Sequence, residues 1–121
     1  MRVLAMALLA LAACGGEAAD PRGAVIAAWQ AKGLKTSPLE AAPGAVGPDC
    51  KTTHVNALEV LLCSYKTPAE AKAAEEAGYA WVGEATGAVK ASASVLVAVA
   101  DRRKTDPSGK TINQLIKLAP K

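Results

Sequence analysis

Few residues in this chain could do chemistry, and their spacing decides what that chemistry would be. A two-residue reversal at Asn56-Ala57 would set Val55 against Leu58, Thr53 against Val60 and Cys50 against Cys63. Cysteines that face each other on adjacent antiparallel strands can close a structural disulfide. A thiol-redox pair is the alternative, but the spacing is not C-x-x-C and no helix N-terminus follows to lower a thiol pKa. His54 is the single histidine. With Cys50 and Cys63 it supplies three corners of a metal site whose fourth ligand is missing, so no metal is expected. Serine or cysteine hydrolase chemistry would have to use the same His54 beside a hairpin loop, without a G-x-S-x-G elbow. Asp101, Asp106, Glu75, Glu76 and Glu84 could act as paired carboxylates, yet nothing in their spacing selects a pair. Gly109-Lys110-Thr111 has the ending of a phosphate loop, but Lys104 stands where its first glycine belongs and Pro107 removes a donor. No cofactor is expected. Arg102, Arg103 and Lys104 form the one compact basic cluster, a candidate contact for phosphates or an acidic partner when weighed against an ordinary solvated turn.

The first residues, MRVLAMALLALAA, carry one charge at Arg2 and an apolar run ending in small side chains. That run falls short of the ~20 residues a spanning helix needs and reads as a targeting segment. Leu11-Ala12-Ala13-Cys14 then resembles the lipobox of bacterial lipoproteins. The resemblance implies cleavage before Cys14, thioether lipidation of its sulfur and acylation of the new amino group. It places the mature protein in the bacterial cell envelope, attached to the membrane by its N-terminal lipid. Gly15 rather than Asp after the cysteine points to the outer membrane, facing the periplasm. Residues 1–13 are thus expected to be the signal, 14–19 a flexible tether, and 20–121 one domain.

Composition bounds that domain. Of the 121 residues, 51% are hydrophobic, but alanine makes up nearly half of that share, so the core must be thin. A net charge of +3, no Phe, two Trp and two Tyr give neither the basic field nor the stacking platforms of a nucleic-acid binder.

The elements that would position these residues can be read from pattern. Asp20-Pro21 starts a helix running to Lys32, with Val25, Ile26 and Trp29 on one stripe and Gly33-Leu34 as its stop. Ser37 to Pro48 reads as a connecting loop, because Pro43, Gly44, Gly47 and Pro48 interrupt any helix. Cys50 to Tyr65 is a hairpin whose second strand is apolar on both faces and therefore interior. Thr67-Pro68-Ala69-Glu70 is a capping box opening an alanine-rich helix, with Ala73, Ala77, Ala80 and Trp81 facing the core and Gly78 as a weak point. A break at Gly78 would add Tyr79 and Trp81 to an exposed contact surface. A second hairpin follows, Gly87 to Lys90 and Ser94 to Ala100, reversing near Ala91-Ser92-Ala93. Asp106-Pro107 opens a last helix striped by Ile112, Leu115, Ile116 and Ala119. The expected fold is α+β: a four-stranded, mainly antiparallel sheet from two hairpins, in the order helix, hairpin, helix, hairpin, helix. The recurring turns Lys66-Thr67-Pro68 and Lys104-Thr105-Asp106-Pro107 would also suit an internal duplication.

The function expected is that of a lipid-anchored, non-enzymatic envelope module that binds another envelope protein or a small ligand. A small envelope enzyme or thiol-redox accessory using Cys50 and Cys63 is the alternative.

Overall fold

The structure is a computed structural model that describes residues 20–121. The signal, the tether and Cys14 lie outside the described residues. The elements are α1 (Arg22–Gln30), β1 (Glu40–Ala41), β2 (Cys50–Val55), β3 (Leu58–Ser64), α2 (Pro68–Ala73), α3 (Glu75–Val82), β4 (Thr86–Ser92), β5 (Val95–Asp101) and α4 (Lys110–Leu118). The fold is α+β, with one antiparallel sheet in the order β1-β2-β3-β5-β4. The two hairpins pair through their second strands, which explains why β3 and β5 are apolar on both faces.

Helices cover both sides of the sheet. Val25 and Trp29 of α1, Ile112 and Leu115 of α4, and Ala119 just after α4 pack on Leu58, Val60, Leu62, Val95, Val97 and Val99. The opposite side buries Leu61, Cys63, Leu96, Ala98 and Ala100 against Val82, Ala74 and Trp81 of the α2–α3 segment. Trp29, the largest buried side chain, donates its indole N–H to the Leu115 carbonyl at 2.9 Å, linking α1 to α4. A wholly buried indole without such a partner would carry an unpaired donor.

The local signals for helix ends hold at Asp20, Gly33-Leu34 and Thr67, but not at Asp106-Pro107: α4 starts at Lys110 after Gly109, and Asp106-Pro107 forms the turn before it. The Asp20 carboxylate accepts from the Arg22 N–H at 3.0 Å. Gly33 adopts a left-handed φ of 82°, and the Gly33 and Leu34 N–H groups bond the Gln30 and Trp29 carbonyls. This is the Schellman arrangement, and Leu34 packs on the core beside it. Thr67 caps α2 by accepting from the Glu70 N–H at 3.1 Å, while the Glu70 carboxylate accepts from the Lys66 N–H. The Asn56-Ala57 reversal has the expected register through to Cys50 opposite Cys63, and the two are disulfide-bonded with Cα atoms 4.0 Å apart.

Four further expectations need correction. The sheet has five strands, because part of the presumed loop, Glu40-Ala41, pairs with Thr52 and Lys51. The outer edge of β2 has backbone groups to satisfy, and even a two-residue strand between Pro38 and Pro43 can do so. The second reversal lies at Ala93-Ser94 rather than near Ala91-Ser92-Ala93, so β4 extends to Ser92 opposite Val95. The alanine-rich helix divides at Ala74 into α2 and α3, which changes the simple helix order. Its packing face is also rotated from the one expected: Ala71, Gly78 and Val82 are buried, whereas Ala73, Ala77 and Ala80 are exposed.

Gly78 is therefore a packing position within α3 rather than a break. A Cβ there would stand 2.9 Å from Val89 Cγ1 and 3.2 Å from Leu96 Cδ2. Because alanine is small on every side of α3, the apolar pattern did not distinguish its inward face; the need for close approach to β4 and β5 did.

Candidate functional site

Two turns meet at one end of the sheet and enclose a cleft of about 500 Å³ lined by His54, Asn56, Ala57, Glu59, Arg102 and Arg103. Asn56, at φ 56°, turns the chain between β2 and β3 and leaves His54 opposite Glu59 in the register. Glu59 in turn pairs with Ala100 of β5, which brings it beside the residues that follow that strand.

Arg102 is the organising side chain. Its Nε donates to Glu59 Oε1, while its two terminal nitrogens donate to the Val82 and Trp81 carbonyls at 3.2 and 2.8 Å. Its guanidinium carbon lies 4.8 Å from the centre of the Trp81 ring. The planar fork thus ties the end of α3 to β3 and β5, a geometry that a lysine cannot reproduce. Glu59 neutralises this charge, whereas Arg103 and Lys104 are exposed and form no ion pair among the described residues. The three residues of the basic cluster therefore differ in role: Arg102 braces the wall of the cleft, Arg103 lines it as an available cation, and Lys104 occupies the adjoining turn at φ 59°.

The carboxylates nearest this end are directed into the backbone. Asp101 accepts from the Thr105 N–H at 2.9 Å, the Asp106 N–H at 2.8 Å and the Thr105 hydroxyl at 3.2 Å. Its pKa is held below the ordinary carboxylate value chiefly by the Thr105 N–H; burial opposes this, and the Asp106 N–H, the Thr105 hydroxyl and the Lys104 N–H add to it. Asp106 accepts from the Ile112 N–H at 2.9 Å, within the first turn of α4. Two residues that could have been read as an acid–base pair instead shape the turn carrying Arg102 to Lys104. The Gly109-Lys110-Thr111 segment starts α4, with the Gly109 N–H bonded to the Asp106 carbonyl.

His54 is exposed on the cleft, and its backbone N–H and C=O are held by Ser37 Oγ and the Ser37 N–H. Ser37 Oγ also lies 3.1 Å from Thr53 Oγ1, so this hydroxyl serves to hold the 36–41 segment along β2. Cys50 and Cys63 lie toward the other end of the β2–β3 pair, buried and bridged to each other. The metal triangle considered for Cys50, His54 and Cys63 therefore does not form. Among the described residues, no group of three or more His, Cys, Asp and Glu side chains could hold a metal ion.

The sequence reading missed Asn56 and Glu59 as cleft residues, and missed Trp81 as the surface under Arg102. A signal for the first two was present: the same arithmetic that opposes Cys50 to Cys63 opposes His54 to Glu59. Chemically, a cleft with an unpaired guanidinium, an imidazole and an amide is suited to holding an anionic or carboxylate group. No family model, curated protein or solved structure matches this chain.

Proposed function

We propose that this protein is a lipid-anchored module of the bacterial envelope, fixed at Cys14 and acting by binding rather than by catalysis. The observation that carries the reading is Leu11-Ala12-Ala13-Cys14 at the end of a charged and then apolar leader. Two or three acyl chains at one cysteine give durable attachment, because each buried methylene contributes roughly 0.8 kcal/mol.

The geometry of the domain supports a consistent orientation. Only six positions separate Cys14 from Asp20, a reach of at most about 20 Å, so the fold would sit close to the lipid surface. Asp20 is near the start of β2, since Arg22 is ion-paired with both Asp20 and Asp49. The cleft belongs to the opposite end of β2, about 17 Å farther along a six-residue strand. Arg103 and His54 would then be presented away from the tether, where an acidic group on an envelope protein or small ligand can reach them.

Fractionation of cells expressing the wild type and Cys14→Ser tests the anchoring. Wild type is expected in the detergent-extracted membrane fraction, and the variant in the soluble fraction or unprocessed. The binding surface is tested by amide shifts on adding a glutamate-rich peptide to the detergent-solubilised chain. Shifts centred on His54, Asn56 and Arg103, lost in Arg103→Glu, support it; shifts unaffected by that substitution contradict it.

A further inference from the structure

The two edges of the sheet are protected very differently. At one edge β1 is two residues long and sits between Pro38 and Pro43, a stub that offers little to a pairing strand. At the other edge β4 has seven residues, Thr86-Gly-Ala-Val-Lys-Ala-Ser92, with no proline. Its one charge is withdrawn: the Lys90 ammonium bonds the Ile116 and Ala119 carbonyls at 3.0 and 3.1 Å, closing the C-terminus of α4. Thr86 is exposed, and Gly87, Ala88, Lys90 and Ala91 are half-exposed.

The register shows which backbone groups face outward. Ser92 and Val95 flank the two-residue reversal, so Ser92, Lys90, Ala88 and Thr86 exchange hydrogen bonds with β5. The N–H and C=O groups of Gly87, Val89 and Ala91 then point away from the sheet. Glu75 confirms this parity, since its carboxylate accepts the outward Ala91 N–H at 3.0 Å. The outward groups of Gly87 and Val89 have no such cover among the described residues.

We infer that β4 pairs antiparallel with β4 of a second copy of this chain, about a two-fold axis through Ala88. In this register Gly87 faces Val89 of the partner and Val89 faces Gly87, which satisfies four uncovered backbone groups on each copy with four hydrogen bonds in total. The absent side chain of Gly87 lies opposite the larger Val89, and Ala88 meets Ala88 in the closely spaced, non-hydrogen-bonded pair. Lys90 lies across from Thr86, so no like charges are opposed. The Glu75 bond to Ala91 is retained. A two-fold axis through Val89 instead would break that bond, because Ala91 would have to pair with Gly87 of the partner. The axis runs perpendicular to the sheet and keeps the α1–α4 layer of both copies on one side. Because the axis reverses the strand direction, the two Asp20 ends lie at opposite ends of the joined sheet, and the pairing does not depend on the proposed Cys14 anchoring.

The test uses the full chain in detergent and in membranes. Ala88→Cys is expected to give a disulfide-linked dimer on mild oxidation, because Ala88 opposes itself. Thr86→Cys is expected to stay uncrosslinked, since its two copies are about 13 Å apart along the strands. Sedimentation should show a wild-type dimer, weakened about fivefold by Thr86→Lys, which sets two like-charge pairs across the axis. A wild-type monomer at all concentrations, or equal crosslinking at positions 86 and 88, would overturn the proposal. Loss of membrane anchoring with the crosslink retained would overturn the anchoring alone.

Discussion

Arg102 lies over Trp81 with its guanidinium carbon 4.8 Å from the ring centre, and the same guanidinium bonds the Trp81 carbonyl. One residue outside β5 thereby fixes the end of α3 and one wall of the cleft. Arg102→Ala is expected to lower stability by about 1–2 kcal/mol, combining the lost cation–π contact, the two carbonyl bonds and the partly exposed Glu59 pair. Arg102→Lys should recover less than half, because an ammonium cannot reach the three acceptors together. Chemical denaturation of the three proteins checks this, with Trp81 fluorescence reporting the local change.

The Cys50–Cys63 bridge joins β2 to the central strand β3, its two ends 13 positions apart in sequence. Removing it as Cys50→Ala/Cys63→Ala should cost about 3 kcal/mol on the chain-entropy account. The double variant is specified because a single replacement leaves a free buried thiol. Denaturation midpoints under oxidising and reducing conditions should differ for wild type and coincide for the double variant.

Acid stability should depend on Asp101. Its folded pKa lies below the ordinary value of about 3.9, so its stabilising contribution is complete above that pH and is lost as pH falls through the folded pKa. In Asp101→Asn the amide cannot accept on both sides, and the turn from Thr105 to Asp106 loses a partner. The variant is expected to be less stable at pH 7 and to show a flatter decline below about pH 4, measured by thermal unfolding across pH.

Gly78→Ala should destabilise, although alanine ordinarily favours a helix by roughly 0.5–1 kcal/mol. Its Cβ would meet the stiff, buried Val89 methyl at 2.9 Å. Overpacking of this kind costs about 1–3 kcal/mol and should prevail. Val89→Ala in the same chain removes the obstacle, so the pair should be less destabilised than the sum of the single variants.

The parts of the fold that could be read in the sequence were those set by local chemistry. Asp20, Gly33-Leu34 and Thr67 each satisfy backbone groups within a few residues, and the Asn56-Ala57 register follows from counting. The strand at Glu40-Ala41 was hidden because its cause is nonlocal: it pairs with β2, and two exposed residues are too few to show an alternation. The face of α3 was hidden because Ala73, Ala77 and Ala80 look as apolar as Ala71 and Gly78, and only the proximity of Val89 and Leu96 selects between them. At the candidate site, the basic run was visible but not the division of labour within it. Glu59 and Trp81, which engage Arg102, are 43 and 21 positions away in sequence.

The central claim is attachment through Cys14, and the most direct measurement is the mass of the N-terminal peptide of the mature protein purified from its native membranes. The account predicts that residues 1–13 are absent and that the peptide begins at a diacylglyceryl-modified Cys14, with or without an acyl chain on its amino group. A mature protein whose first peptide retains residues before Cys14, or carries Cys14 without lipid, would contradict it.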